Sequence, residues 1–212
     1  TVLEGTSFRA AELSQADFSR AGGTSAIFAK ARLNGASFLG AALETALFEG
    51  ASLEQAKLAG ATLVRCKFLG CEAAFADFSR TVLDRTSFAE SSLRNALFVE
   101  ARGDGTIWRR ASLQGADFRF AWLPSAHFQE VAAAGVKLSA ANLSGVRFYR
   151  AQLRGAALDE ANLFQADLRK ADLTGAKLAG ANLFGAQLLQ AVWLGCDLDR
   201  ANVKRTLLEG GR

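Results

Sequence analysis

The sequence predicts an all-β solenoid, a single elongated domain in which short strands stack along one axis. Three observations support this prediction: an unbroken five-residue period, apolar side chains confined to two positions of each unit, and alternating aromatic and aliphatic columns. With third positions at residues 3, 8, 13 and onward to 208, forty-two consecutive units fit the chain without an insertion. Short repeats of fixed period indicate a solenoid, because each unit buries its apolar side only against its neighbours.

Each unit places a small residue first and a bulky residue third. The first position is Ala in twenty-nine units, and the third position is Leu or Phe in thirty-five. We expect both side chains to point inward and the second, fourth and fifth positions to face water. Gly is frequent at the fifth position, which favours a corner with unusual backbone angles.

The most regular stretch, from Ala151 to Ala201, repeats Ala-Asp-Leu and Ala-Asn-Leu every five residues. This pattern resembles the pentapeptide repeat family, and the resemblance covers essentially the whole chain. The family implies a right-handed quadrilateral parallel β-helix with one pentapeptide on each side, which gives about ten and a half coils for this chain.

With four units in a coil, the third positions stack every twenty residues. The column that starts at Phe8 is aromatic as far as Phe148, and the opposite column, which starts at Phe18, is rich in Phe as far as Phe118. The two intervening columns contain no Phe, which favours an even number of sides. We expect the stacked rings to lie about 4.8 Å apart.

The bulky third residue is missing at four places in the aliphatic columns, namely Gly23, Ala73, Gly103 and Ala133. The glycine pairs at 22–23 and 103–105 predict a bulge or a local kink in the coil. Phe75 and Phe120, at fifth positions, are expected to pack over corners near these gaps.

Residues 1–212 are predicted to form one domain, and we expect it to be part of a longer protein. The first residue is Thr, methionine is absent and neither end has the atypical unit that usually caps a solenoid. We also expect no signal peptide, because the amino end lacks a basic region followed by an apolar run, and no apolar run is long enough to span a bilayer.

The three cysteines all occupy first positions, where a small buried residue belongs. Cys66 and Cys71 fall on neighbouring sides of one coil, so the sequence leaves open whether they form a disulfide. An odd set of cysteines is compatible with a reducing compartment, and we therefore expect a cytoplasmic location.

The residues form no catalytic constellation. His127 is the single histidine and lies at an outward second position, without the partner and pocket that a general base requires. We predict a protein that is not an enzyme and that uses no cofactor and no metal.

Basic residues concentrate on the side that carries the Phe8 column. That side has nine basic and five acidic outward residues, which accounts for the net charge of +4, while the other sides nearly cancel. The candidate basic stripe consists of Arg109, Arg110, Arg147, Tyr149, Arg150, Arg169 and Lys170. Such a stripe is one way to bind the phosphate backbone of a nucleic acid, although interspersed carboxylates favour a merely soluble surface.

Outward aromatic residues form the second candidate surface. Its members are Phe120, Trp122, Phe164 and Phe184, with the last two in adjacent coils of the same column. Exposed aromatic clusters often mark contact surfaces. The contact is expected to be a protein partner or a flanking domain, with self-association through the aromatic residues or the uncapped ends as an alternative.

The preferred function is a rigid interaction, scaffold or spacer module of a larger bacterial protein, because pentapeptide segments in the family occur as appendages of multidomain proteins, including secretion-associated ones. The best-known members mimic duplex DNA and bind DNA gyrase or topoisomerase IV, conferring quinolone resistance. The net positive charge argues against this alternative, since a mimic needs dense carboxylates. Nucleic-acid binding through the basic stripe is the third hypothesis.

Overall fold

The computed structural model describes residues 1–208 as a continuous parallel β-helix. Two three-residue strands, β1 (Gly22–Thr24) and β2 (Ala42–Glu44), pair in parallel with Gly22 opposite Ala42. Elsewhere each unit contributes one bridging residue, at its second position, which pairs with the residue twenty positions later, from Val2 with Gly22 to Asn182 with Asn202. Each coil therefore contains four five-residue segments, and the prediction of a parallel β-helix is confirmed.

Backbone hydrogen bonds join each coil to the next. At Phe28 the N–H donates to the carbonyl of Leu47, at 2.7 Å, and the N–H of Leu47 donates back to the carbonyl of Ala26, at 2.9 Å. The N–H of Lys30 donates to the carbonyl of Glu49 at 2.9 Å, and the same three contacts recur along the chain. Within residues 1–208 no helix is long and apolar enough to cross a membrane.

Every corner has a left-handed residue at its fifth position, and most corners are β-turns. At one such corner the N–H of Ala31 donates to the carbonyl of Phe28, at 3.0 Å. All fifth positions from Gly5 to Arg205 have φ between 53° and 69°. Gly was expected here, but 26 of these residues are not glycine. The twenty-residue hydrogen-bond register imposes the left-handed conformation even where a side chain disfavours it.

Two aromatic ladders fill the core. In the Phe8 column, neighbouring rings stack at centroid distances such as 4.8 Å for Phe28 and Phe48 and 4.4 Å for Phe48 and Phe68. Rings of the opposite column meet them edge-on, for example Phe78 and Phe88 at 5.2 Å and 87°. The predicted ladders are confirmed, and aromatic pairs in these geometries stabilise by about 0.5–1.5 kcal/mol beyond burial.

The prediction of a bulge at the glycine pairs is wrong. The pairing of Val82 with Arg102 and of Arg102 with Trp122 continues in register through Gly103. A Cβ atom on Gly103 would lie 2.8 Å from the carbonyl carbon of Leu83, and one on Gly23 would lie 2.8 Å from the backbone nitrogen of Glu4. Glycine at these inward positions therefore permits close approach of the preceding coil.

Phe75 and Phe120 do not pack over core gaps, which corrects another prediction. Their side chains are 58% and 60% exposed. Both are left-handed corner residues, with φ of 60° and 62°, and the corner lies outside the packed column of third-position side chains. Phe120 therefore belongs to the surface.

Candidate interaction surfaces

Asp and Asn residues at second positions fix the backbone of the turn that follows them. The Oδ1 atom of the side chain accepts a hydrogen bond from the N–H of the fourth-position residue in the same unit, as Asn162 does from Phe164 and Asn182 does from Phe184, both at 3.2 Å. Asp167 fixes Arg169 in the same manner, also at 3.2 Å. This local turn motif accounts for the repeated Asp and Asn of the sequence.

The asparagines also form a continuous ladder on one side, here called the Asn face, whose units begin at residues 1, 21, 41 and onward to 201. The Nδ2 group of Asn162 donates to Oδ1 of Asn142 at 3.3 Å, and the Nδ2 group of Asn182 donates to Asn162 at 3.1 Å. Asn202 continues the ladder by donating to Asn182 at 3.0 Å. This side-chain ladder orders the backbone beneath the exposed aromatic residues.

Phe164 and Phe184 stack on the Asn face. Their ring centroids are 5.7 Å apart and their planes differ by 10°. The guanidinium carbon of Arg205 lies 5.3 Å from the centroid of the Phe184 ring. Phe164 is 38% exposed and Phe184 is partly buried. Because the rings stack and their backbone is fixed, the two side chains form one ordered apolar surface.

Phe120 and Trp122 form a separate group at the edge of the Asn face. They line a groove of about 650 Å³ together with Val82, Asp84, Arg102, Ala121, Ala140 and Asn142. The indole of Trp122 is 45% exposed. The coil of Asn142, which completes this groove, lies between Trp122 and Phe164. The four predicted aromatic residues therefore form two separate groups, Phe120 with Trp122 and Phe164 with Phe184.

The predicted basic stripe divides into two parts. Arg110 lies between Glu90, at 3.8 Å, and Glu130, at 3.1 Å, and is neutralised by them. Arg109 is exposed beside it. The remaining residues lie beyond the coil of Glu130, where Arg150, Lys170 and Arg169 surround the ring of Tyr149.

Asp167 is the carboxylate inside this second group. Its Oδ1 and Oδ2 atoms accept hydrogen bonds from Nε and Nη2 of Arg169, each at 2.8 Å. These hydrogen bonds, together with the charge of Arg147, keep the pKa of Asp167 below its ordinary value despite partial burial. Asp167 is therefore ionised at neutral pH and cancels part of the local positive charge.

Potential nucleophiles are poorly placed for chemistry. The thiols of Cys66 and Cys71 are buried, and each donates to a backbone carbonyl, of Leu43 at 3.3 Å and of Phe48 at 2.8 Å. Burial raises the pKa of both thiols to about 12. Both cysteines are free, which answers the question of a disulfide that the sequence left open.

Burial, with a contribution from Arg147, lowers the pKa of His127, so its imidazole is neutral at pH 7.

An apolar group near the carboxyl end was not identified from the sequence. Val192 and Leu194 are 51% and 77% exposed, and Trp193 is 44% exposed although it occupies an inward third position. They line a cavity of about 520 Å³ with Cys196 and Leu198. Apolar residues at the second and fourth positions of one unit, which are outward in the repeat, were the available signal.

Comparison with known proteins points to one family. The family model described as pentapeptide repeats matches eight copies, over residues 1–40, 46–85, 91–129, 111–148, 147–183 and 176–211. HetL, a pentapeptide repeat protein involved in the regulation of heterocyst differentiation in the cyanobacterium Nostoc sp. strain PCC 7120, is 24% identical; the match covers 100% of this chain and 88% of HetL with a TM-score of 0.52.

A trypsin-treated form of QnrB1, a plasmid-mediated fluoroquinolone resistance protein, is 17% identical; the match covers 85% of this chain and 91% of QnrB1 with a TM-score of 0.48. No curated protein sequence matches the chain. The family model spans most of the sequence, and its five-residue period coincides with the segments of the β-helix. The chain therefore belongs to the pentapeptide repeat family.

Proposed function

We propose that the chain is a rigid, non-catalytic interaction module of a longer bacterial protein and that the aromatic residues of the Asn face bind a protein partner. One observation carries the proposal: Phe120, Trp122 and Phe164 expose 60%, 45% and 38% of their surface, whereas the aromatic ladders of the core are buried. An ordered apolar surface of this kind is typical of a protein contact.

The polar groups beside these aromatic residues favour association. The amides of Asn162 and Asn182 already donate along the ladder and accept from the backbone N–H groups of Phe164 and Phe184. Because those groups keep their hydrogen bonds when a partner covers the face, binding removes apolar area from water at little polar cost. Both ladder and rings are held by the β-helix, so little ordering entropy is lost on binding.

Three alternatives have weaker support. DNA mimicry is opposed by the net charge of +4 and by ion pairs that neutralise carboxylates on the side of the Phe18 column, such as Asp117 with Arg119 at 2.8 Å and Glu100 with Arg80 at 3.4 Å. Nucleic-acid binding through the whole basic stripe is opposed by Glu90 and Glu130, which bracket Arg110. Association through the exposed apolar residues at 192–194 would join two copies instead of recruiting a different protein.

The test compares two double variants in an affinity capture from nuclease-treated host lysate. Phe164→Ser/Phe184→Ser removes the aromatic pair, and Leu39→Ser/Leu97→Ser is the control, because Leu39 and Leu97 are 43% and 39% exposed on another side. We expect a protein captured by the wild type to be lost from the first variant alone, with unchanged thermal unfolding in both. Identical captured proteins in the wild type and both variants would refute the proposed surface.

The same preparations distinguish the alternatives. Light scattering of the purified chain detects self-association, and a gyrase supercoiling assay detects mimicry. We expect no inhibition of gyrase by the wild-type chain, since its charge is unlike that of DNA. Inhibition that survives Phe164→Ser/Phe184→Ser would replace the present proposal with the mimic.

A further inference from the structure

A group of cations surrounds one tyrosine on the face that carries the Phe8 column. The guanidinium carbon of Arg150 lies 5.2 Å from the centroid of the Tyr149 ring, the Nζ atom of Lys170 lies 5.8 Å away and the guanidinium carbon of Arg169 lies 5.9 Å away. Each contact is within the range of a cation–π interaction. The ring thus holds three like charges close together in two successive coils.

The carboxylates nearby do not balance these charges. Asp167 pairs with Nε and Nη2 of Arg169, and the third guanidinium nitrogen, Nη1, takes no part in that pair. Over residues 1–208, no carboxylate lies within 4.0 Å of the charged nitrogens of Arg147, Arg150 or Lys170. Within 4.0 Å, these four cations have one carboxylate among the described residues, whereas Arg110 alone has two.

The cations adjoin a depression of suitable size and polarity. Its lining is Gln129, Arg147, Tyr149, Asp167 and Arg169, and its volume is about 460 Å³. The Oε1 atom of Gln129 is buried and makes no hydrogen bond to the described residues. Since no hydrogen bond at Oε1 fixes this amide, it can rotate and donate through Nε2 to a ligand oxygen. The depression therefore offers guanidinium and amide donors from three side chains.

The geometry suits a compact anion better than a nucleic-acid strand. The cations around Tyr149 occupy two coils, a span of about 5 Å along the axis. Glu130, in the preceding coil, pairs with Arg110, so the free positive charge does not continue along the face. The cations also lie against the Tyr149 ring, where a nucleotide base would have to stack. Arginine binds phosphate oxygens through paired N–H groups, and lysine adds a point charge.

We propose that Arg147, Arg150, Arg169 and Lys170, arranged around Tyr149, form a binding site for a phosphate monoester. The phosphoryl oxygens accept hydrogen bonds from Arg147, from the free side of Arg169 and from the amide of Gln129. Arg150 and Lys170 contribute positive charge from the rim. This site lies on a different face from the aromatic surface and does not depend on it.

The experiment measures binding of three probes by isothermal titration calorimetry at low salt: inorganic phosphate, a blocked Gly-phosphoserine-Gly peptide and a twenty-nucleotide single-stranded DNA. The first two probes distinguish a free phosphate from one carried on a protein. We expect saturable binding of the peptide, of inorganic phosphate or of both, with a Kd of about 1 mM or below.

Two charge-matched variants locate the site. Arg147→Gln/Lys170→Gln removes two cations from the group, whereas Arg109→Gln/Lys67→Gln removes two exposed cations from the same face away from Tyr149. We expect phosphate or phosphopeptide affinity to fall at least tenfold in the first variant and less than twofold in the second. Equal losses, or no saturable binding of either phosphate probe by the wild type, would overturn the proposal. Tight DNA binding that weakens equally in both variants would assign the face to nucleic acid instead.

Discussion

The indole N–H of Trp108 donates a hydrogen bond of 2.8 Å to Oγ1 of Thr106 inside the coil, where both residues are fully buried. Trp108 is the one inward residue of its column larger than Phe, and it follows Gly103, the third-position residue without a side chain in the preceding unit. The larger ring and the missing side chain thus occur in the same coil, and Thr106 satisfies the polar atom that the larger ring introduces.

Replacing Trp108 by Phe tests this arrangement. The variant loses the indole hydrogen bond and leaves a cavity in the buried column of rings, so we expect the free energy of unfolding to fall by about 1–3 kcal/mol. Trp193→Phe is the matched control, because Trp193 is also a third-position residue but is 44% exposed. Urea denaturation followed by circular dichroism measures both, and an equal loss in the control would contradict the packing argument.

Substitutions at two glycines distinguish the cost of backbone strain from the cost of steric crowding. Gly155 has φ of 63°, and a Cβ atom added to it would meet no atom within 4 Å, so Gly155→Ala should cost about 1 kcal/mol through backbone strain alone. Gly103 lies outside the left-handed region, and Gly103→Ala places its Cβ atom 2.8 Å from the backbone of Leu83.

Substitutions to asparagine show whether strain or crowding causes the loss of stability at each glycine. Because Asn tolerates the left-handed region, Gly155→Asn should restore most of the stability lost in Gly155→Ala. Gly103→Asn should be less stable than Gly103→Ala, since the larger side chain worsens the crowding. Thermal unfolding midpoints of the four variants provide the comparison; rescue by Asn at residue 103 would rule out crowding there.

The cysteines should differ in reactivity. Burial raises the pKa of Cys66 and Cys71 to about 12, whereas Cys196 is half-buried and its pKa is raised less strongly by the same cause. Because the thiolate is the nucleophile, iodoacetamide at pH 8 should modify Cys196 first and the other two only in denaturant. Mass spectrometry of peptides over time measures this order, and a disulfide between Cys66 and Cys71 in the native protein would be incompatible with it.

Asp117 should make stability depend on pH. Burial acts to raise the pKa of Asp117, but hydrogen bonds from Arg119 and the charges of Arg119 and Lys137 outweigh burial, so the pKa lies below its ordinary value. A carboxyl group of this kind stabilises the fold above its unfolded-state pKa of about 3.9, and that contribution is lost as the pH falls through the folded-state pKa.

Asp117→Asn should therefore lower stability by about 1 kcal/mol at pH 7 and flatten the loss of stability below pH 4. Asp159→Asn is the control, because no cation lies within 4.0 Å of Asp159 in the described part of the chain. Urea midpoints between pH 2 and pH 7 give both profiles, which would coincide if the Asp117–Arg119 pair were immaterial.

The five-residue period predicted the fold, because one small and one bulky residue per unit leave a single way to bury both. It also predicted the stacked rings of Phe28 and Phe48. It did not predict the register at Gly103, since sequence alone does not distinguish a glycine needed for close approach from one at a bulge. The sequence places carboxylates within the basic stripe, but it does not show that Glu130 binds Arg110 and so divides the stripe in two.

One coil of the β-helix contains twenty residues. The distance between two surfaces along the axis can therefore change without a change in the direction that either surface faces. Loss or duplication of one whole coil between Trp122 and Phe164 would change their separation by about 4.8 Å and leave both on the same face. Loss of ten residues would instead turn the later surface to the opposite side. Evolution of such a protein can thus adjust the reach of a binding surface one coil at a time, without redesigning the residues that bind.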